Sequence, residues 1–217
     1  MSEQQIILYN FWRSSASWRV RAALAFKKLE YKYVPVHLGK GQQKDEEYSK
    51  LNSMNVVPTL VIDGHTLVQS LSILEYLEDT RPDVSPLLPK DPFKRAVVRQ
   101  IMQIIGSDIQ PLQTIKVTNK ILELTNNDQN KKSDWVKTWI SNGFNGLEKL
   151  LQQHSGKYAV GDQVTLADLC IPAQVFSANA FNLDLTPYPN IDRINQNLLQ
   201  LPEFQSSSPQ NQIDADK

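Results

Sequence analysis

Two rhythms of apolar positions organise the first part of the chain. The run Ile6-Ile7-Leu8-Tyr9 is unbroken and predicts a buried strand closing at Asn10. From Ser15 onward, apolar or small positions return every three or four places, at Ala16, Val20, Ala23, Leu24 and the stem of Lys27, which predicts a helix over 15–28. Residues 31–36 read as a second strand, and Pro35, which has no N–H for a ladder, places it at a sheet edge. A strand, a helix and a strand in that order imply parallel pairing.

A polar loop at 39–43 and a short charged helical piece at 44–51 follow. Residues 59–62 are strongly strand-like, Asp63-Gly64 is a two-residue hairpin signal, and 66–68 form the return strand. Gln69-Ser70 then opens a helix that buries Ile73, Leu74 and Leu77. The order is βαβαββα. Pro58 stands directly before a strand, where a trans proline is permitted. A cis bond is the rarer alternative, and it would turn the N–H and C=O of Val57 sideways for an extended peptide to pair with.

Beyond this first domain (1–83) the pattern turns helical. Prolines at 82, 86, 89 and 92 predict a stiff linker over 84–91, and Asp91 with Pro92 starts a helix whose apolar face carries Ala96, Val97, Ile101, Ile104 and Ile105. Gly106 and Pro111 predict a break that brings Gln110 and Thr114 toward a cleft. Residues 126–132 read as a polar loop and 135–153 as a long amphipathic helix. Thr165-Leu166-Ala167-Asp168 reads as a capping box, so Asp168 is structural rather than a catalytic acid. An all-helical domain is expected over 92–205, and a disordered tail over 206–217.

Composition narrows the function classes. Over 217 residues, 41% apolar content suffices for ordinary cores, and 23 basic against 23 acidic residues recommend neither nucleic acid nor an anionic membrane as partner. Cys170 is the single cysteine, so no thiol pair or cysteine cluster is available, and its apolar surroundings make it a small core residue. His37, His65 and His154 are dispersed without ligand spacing, so no metal site is expected. No apolar run reaches about 20 residues, and Met1-Ser2-Glu3-Gln4-Gln5 has no signal pattern, which makes a cytoplasmic location the expectation.

The chemistry-bearing stretch is Arg13-Ser14-Ser15-Ala16-Ser17-Trp18-Arg19-Val20-Arg21, where a strand hands over to a helix. A loop there presents hydroxyls and backbone N–H groups at the helix's positive end, which favours an anion. A serine in that place is also an ordinary N-cap, and Ser14 or Ser15 alone needs no further explanation. Three hydroxyls among three arginines exceed what a cap requires. Ser70, a second serine at a helix start, carries the same two readings, with the Gln69 amide beside it.

Residues 14–24 resemble the S-S-C-x-x-R-V-R-x-A-L signature of the zeta-class glutathione transferases, while Val57-Pro58-Thr59-Leu60 and Gln69-Ser70 resemble that family's tripeptide-holding elements. The likeness extends through 91–96, 109–113, 161–169 and 184–189. It implies a thioredoxin-like domain followed by an all-α domain, a homodimer, and glutathione as cofactor. By the same resemblance, Ser14 donates to the glutathione sulfur, with Ser15 and the backbone of Ala16 at the same helix end. Val57 beside a cis Pro58 pairs with the cysteinyl part, Gln69 and Ser70 hold the γ-glutamyl end, and Gln43 reaches the glycyl end. Gln110 borders both ligands, and Thr114, Ile115 and Lys116 line the substrate side. Arg13 and Arg19 are candidates to steady a developing enolate, a solvated surface arginine being the other reading of either.

The implied activity is glutathione-dependent cis–trans isomerisation of maleylacetoacetate to fumarylacetoacetate, in phenylalanine and tyrosine breakdown, by reversible thiolate addition to an acidic small molecule. A transferase of haloacids or other small electrophiles, and a non-catalytic glutathione-binding module, are the alternatives. Two positions depart from the family pattern: Ala16 stands where cysteine is usual, and Ala180 where an arginine commonly clamps a carboxylate.

Overall fold

A computed structural model describes residues 5–215 as two compact units. One holds the chain up to Leu87 together with the segment from Gln200 onward, and the other holds Leu88–Leu199.

In the first unit the strands are β1 (Ile7–Asn10), β2 (Lys32–Pro35), β3 (Thr59–Ile62) and β4 (His65–Val68). They form one sheet in the order β2-β1-β3-β4, with β2 parallel to β1 and the other two pairs antiparallel. Pro35 indeed lies on an edge strand, where its missing N–H costs no ladder bond. Helices α1 (Ser15–Phe26) and α3 (Ser70–Thr80) pack together through Val20, Ala23, Leu24, Ile73, Leu74 and Leu77, all fully buried. A short α2 (Glu46–Leu51) sits between β2 and β3.

Helix α1 is buried almost all round because a second partner covers it. Helix α9 (Pro202–Ser207) lies against it, with Phe204 edge-on to Phe26 at 5.7 Å between ring centres. The segment expected to be a disordered tail is therefore ordered over 206–215. Its turn at Pro209–Asn211 is closed by Gln212, whose Nε2 donates to the carbonyls of Ser206 (3.1 Å) and Ser208 (2.8 Å). Residues 216–217 of that expectation lie outside the described residues. Low apolar content gives no sign of this order, because the segment is also held by polar contacts to residues far away in sequence.

The proline-rich stretch is likewise tied down. Lys27 at the end of α1 is buried, pairs with Glu78 at 2.6 Å and donates to the carbonyls of Arg81, Val84 and Ser85. Glu78 in turn accepts the Leu87 amide at 3.1 Å. Each charge is satisfied by groups brought to it, the condition under which a buried pair is tolerated.

The second unit is helical: α4 (Pro92–Gln103), α5 (Ile115–Leu124), α6 (Gln129–His154), α7 (Ile171–Ala180) and α8 (Pro189–Leu199). Asp91 caps α4 from the expected position, its carboxylate accepting the Lys94 amide at 2.8 Å. The break expected from Gly106 and Pro111 is a π-helical turn over Ile104–Ile109 followed by a tight turn over Gln110–Gln113. Gly143 on α6 permits close approach there, since a Cβ on it would fall 2.2 Å from the side chain of buried Ile109. Helix α6 begins earlier than the sequence pattern indicates, because Asp128 caps it by accepting from Asn130 and Lys131.

Asp168 reaches back to Thr165 as expected, accepting from its amide and hydroxyl at 2.8 Å each, and also takes the Ala159 amide. The residues after it form turns, with α7 starting only at Ile171. Asp168 thus closes a turn ahead of the helix and joins it to the 155–161 loop. Complete burial pushes its carboxyl up to about 6 against the pull of those donors.

Candidate active site

The sheet register explains why distant stretches of the first unit meet. Val34, Tyr9, Thr59 and Val68 form one transverse row. From that row β1 runs forward into the Ser14 loop, β3 runs backward into Pro58 and Val57, and β4 runs forward into Gln69 and Ser70. All three segments leave the same end of the sheet. The Val57–Pro58 peptide bond is cis.

Ser14 is the N-cap of α1, with its hydroxyl oxygen accepting the Ser17 amide at 3.2 Å. A serine hydroxyl has two acceptor lone pairs and one hydrogen to donate, so capping leaves the O–H available to an anion. The cap and site readings of Ser14 are therefore compatible. Ser15 and Ala16 occupy the first turn of α1 and are nearly enclosed, so their backbone is their principal offering. Arg13 is exposed, its guanidinium lying 5.5 Å from the Trp12 ring centre.

Ser70 repeats the pattern at the start of α3. It is buried, and its oxygen accepts from Arg19 Nη1 at 3.3 Å, which again leaves a hydroxyl hydrogen facing a helix's positive end. Arg19 is neither a solvated surface arginine nor an open clamp: it is 1% exposed beneath α3 and bonded to Ser70. Packing on both faces of α1 buries a position that charge alone marks as surface. Gln69, exposed, adopts φ +68°, a left-handed conformation uncommon outside glycine and often kept at ligand sites.

A network missed in the sequence secures the approach to Pro58. Tyr48 Oη donates to the Val56 carbonyl at 2.6 Å, and Asn52 Nδ2 reaches the same oxygen at 2.8 Å. Both also contact Thr59 Oγ1, at 2.9 and 3.0 Å. No local pattern announces this network. Gln43 sits in the tight turn Gln42–Lys44, with its side-chain oxygen enclosed and without a hydrogen-bond partner. Such an acceptor suits an N–H of an incoming peptide.

The remaining candidates belong to the second unit. Gln110 begins the tight turn after the π-helical segment, Thr114 is the N-cap residue of α5, and Ile115 and Lys116 are its exposed first residues. Ala180 is the exposed last residue of α7. Among the described residues no cluster of three or more His, Cys, Asp or Glu side chains could hold a metal, and no helix is long and apolar enough to cross a membrane.

A thioredoxin-like sheet with a cis-proline beside two serine-bearing helix starts, joined to a helical unit, defines a glutathione-transferase architecture. Family models agree: "Glutathione S-transferase, N-terminal domain" matches residues 4–79, and "Glutathione S-transferase, C-terminal domain" matches 116–206. The maleylacetoacetate isomerase of Dictyostelium discoideum is 61% identical, over 100% of this chain and 99% of its own. Among solved structures, the holo form of a bacterial zeta-class maleylpyruvate isomerase has a TM-score of 0.94 at 38% identity, covering 97% of this chain and 100% of that one. The maleylacetoacetate isomerase of Methylobacterium extorquens AM1, solved with malonate and glutathione bound, has a TM-score of 0.93 at 33% identity, covering the same shares. The chain belongs to the zeta class of the glutathione S-transferase family.

Proposed function

We propose that the chain is a glutathione-dependent cis–trans isomerase that converts maleylacetoacetate to fumarylacetoacetate. The observation that carries this reading is the convergence, at one end of the sheet, of two helix starts whose serine hydroxyls each retain a hydrogen to donate. Similarity over the full chain to an isomerase supports it.

Bound glutathione supplies the thiolate that adds reversibly to the conjugated cis double bond, which then rotates as a single bond before the thiolate leaves. The chain's own work is to hold that charge. The hydroxyl of Ser14 donates to the sulfur, and the first amides of α1, at Ser15 and Ala16, add the helix's positive end. A hydrogen bond to a charged group contributes about 1.5–3 kcal/mol and a helix start about 0.3–2 kcal/mol. Lowering a thiol of pKa about 8.5 by two units needs about 2.7 kcal/mol, so these groups suffice without a histidine or metal. Ser70, its oxygen already satisfied by Arg19, donates to the γ-glutamyl carboxylate, with Gln69 alongside. Val57 offers its backbone to the cysteinyl unit, and the unmatched Gln43 oxygen accepts an N–H.

Exposed Arg13 and Lys116 are the cations we assign to the acidic substrate, with Gln110, Thr114 and Ile115 as further candidates. We assign the protein to the cytoplasm as a homodimer, which fractionation and sedimentation test. The activity is tested with a cis-configured diketo acid and catalytic glutathione. Trans product at constant total glutathione is expected; stoichiometric consumption would instead identify a transferase of electrophiles.

A further inference from the structure

We propose that the segment after α9 is a strap whose Asp214 positions the Ser14 loop, an inference that rests on the role assigned above to Ser14. The loop between β1 and α1 has no ladder partners of its own at Phe11 and Trp12, and its polar backbone groups are gathered by two side chains. Asp214 accepts the Trp12 amide on one carboxylate oxygen at 3.2 Å and the Tyr33 hydroxyl on the other. Arg21 donates to the carbonyls of Trp12 (3.1 Å) and Phe11 (3.4 Å), to Asn10 Oδ1 (3.0 Å) and to the Ser207 carbonyl (2.9 Å).

Ser14 is one bond removed from this arrangement, since its amide donates to the Phe11 carbonyl that Arg21 also holds. Trp18 adds a fourth tie, its indole N–H reaching Ser207 Oγ at 3.1 Å. The strap thus holds the loop directly through Asp214 and indirectly through Ser207, which Arg21 joins to the Phe11 and Trp12 carbonyls. Asp214 and Arg21 also attract: the carboxylate opposes the burial that lowers the guanidinium to about 10. A carboxylate is the side chain that accepts two donors at once, which an amide oxygen facing the same pair does less well.

Asp214 is a positioning residue, and its test separates positioning from mere anchoring. Full-length wild type, Asp214→Ala, Asp214→Asn and Tyr33→Phe are titrated with bound glutathione, following the thiolate absorbance, and the ligand-free proteins are followed by hydrogen exchange at the Trp12 amide. For Asp214→Ala we expect about tenfold less thiolate at neutral pH, a kcat lower by about tenfold and a glutathione KM within about threefold of wild type. Exchange at Trp12 accelerates by about tenfold or more. Asp214→Asn and Tyr33→Phe, which each remove only part of the contact, fall between, and they carry the comparison if the alanine variant does not fold. A lower melting temperature with unchanged thiol titration and kcat in all three variants overturns the proposal. If wild type itself forms no thiolate on binding, the role of Ser14 fails and takes the strap's function with it.

Discussion

Ser14 is assigned two jobs on one oxygen, and two replacements separate them. Its oxygen caps α1 through the Ser17 amide, while its hydrogen is assigned to the glutathione sulfur. Ser14→Ala removes both. Loss of a serine cap costs about 1 kcal/mol of stability, and loss of a hydrogen bond to a charged sulfur costs about 1.5–3 kcal/mol, which raises the thiol's midpoint by about 1–2 pH units. Ser14→Asp restores the cap, and because the first turn of α1 has no acidic residue, the new carboxylate also meets the helix's positive end without repulsion from neighbours. The same carboxylate repels a thiolate. Stability and thiol titration should therefore part company: the aspartate variant melts near wild type, yet its bound thiol titrates higher than in the alanine variant. Thermal denaturation gives the first quantity, and ultraviolet titration of bound glutathione gives the second. A Ser14→Ala protein whose bound thiol titrates as in wild type would refute the assignment and leave Ser14 as a cap alone.

Two further outcomes are expected from the supporting structure. Lys27→Met leaves Glu78 buried without its cation, and should lower the urea midpoint by the equivalent of about 3–5 kcal/mol; a loss below about 1 kcal/mol would show the pair to be dispensable. Asp168 titrates higher in the folded chain, about 6, than its ordinary 3.8, so its contribution is complete below the lower value and lost as pH rises through the higher. Wild-type stability relative to Asp168→Asn should accordingly decline by roughly 2–2.5 kcal/mol between pH 4 and 7, whereas a pH-independent difference in urea titrations would show that the donors from Thr165 and Ala159 balance burial, and a rise with pH that they outweigh it.

Elements with a local cause were legible in the sequence. The apolar run before Asn10, the Asp63-Gly64 turn, the helix starts at Ser15, Ser70 and Pro92, and the break near Pro111 each follow from periodicity or from a residue with a fixed backbone preference. What escaped was built by contacts between residues far apart in the chain. Arg19 carries charge and has a surface reading, but packing on α1 buries it against Ser70, as it buries Arg21 against Ser207. Residues 206–215 have the composition of a disordered tail, and contacts with Trp12, Trp18, Arg21 and Tyr33, each more than a hundred positions away, help to make them a structure. The Tyr48, Asn52 and Thr59 network is close in sequence but polar, and no periodic pattern marks three side chains that meet at one carbonyl.

The division of the chain into units also sets an order of events during synthesis. The sheet, both serine-bearing helix starts and the cis-proline belong to the stretch ending at Leu87, yet that unit includes residues from Gln200 onward. A ribosome must make the whole of Leu88–Leu199 before the segment that covers α1 and holds the Trp12 amide exists. A nascent chain can therefore pair its four strands early, while the Trp12 amide and the Arg21 guanidinium gain their ties to Asp214 and Ser207 only after the whole second unit has been made.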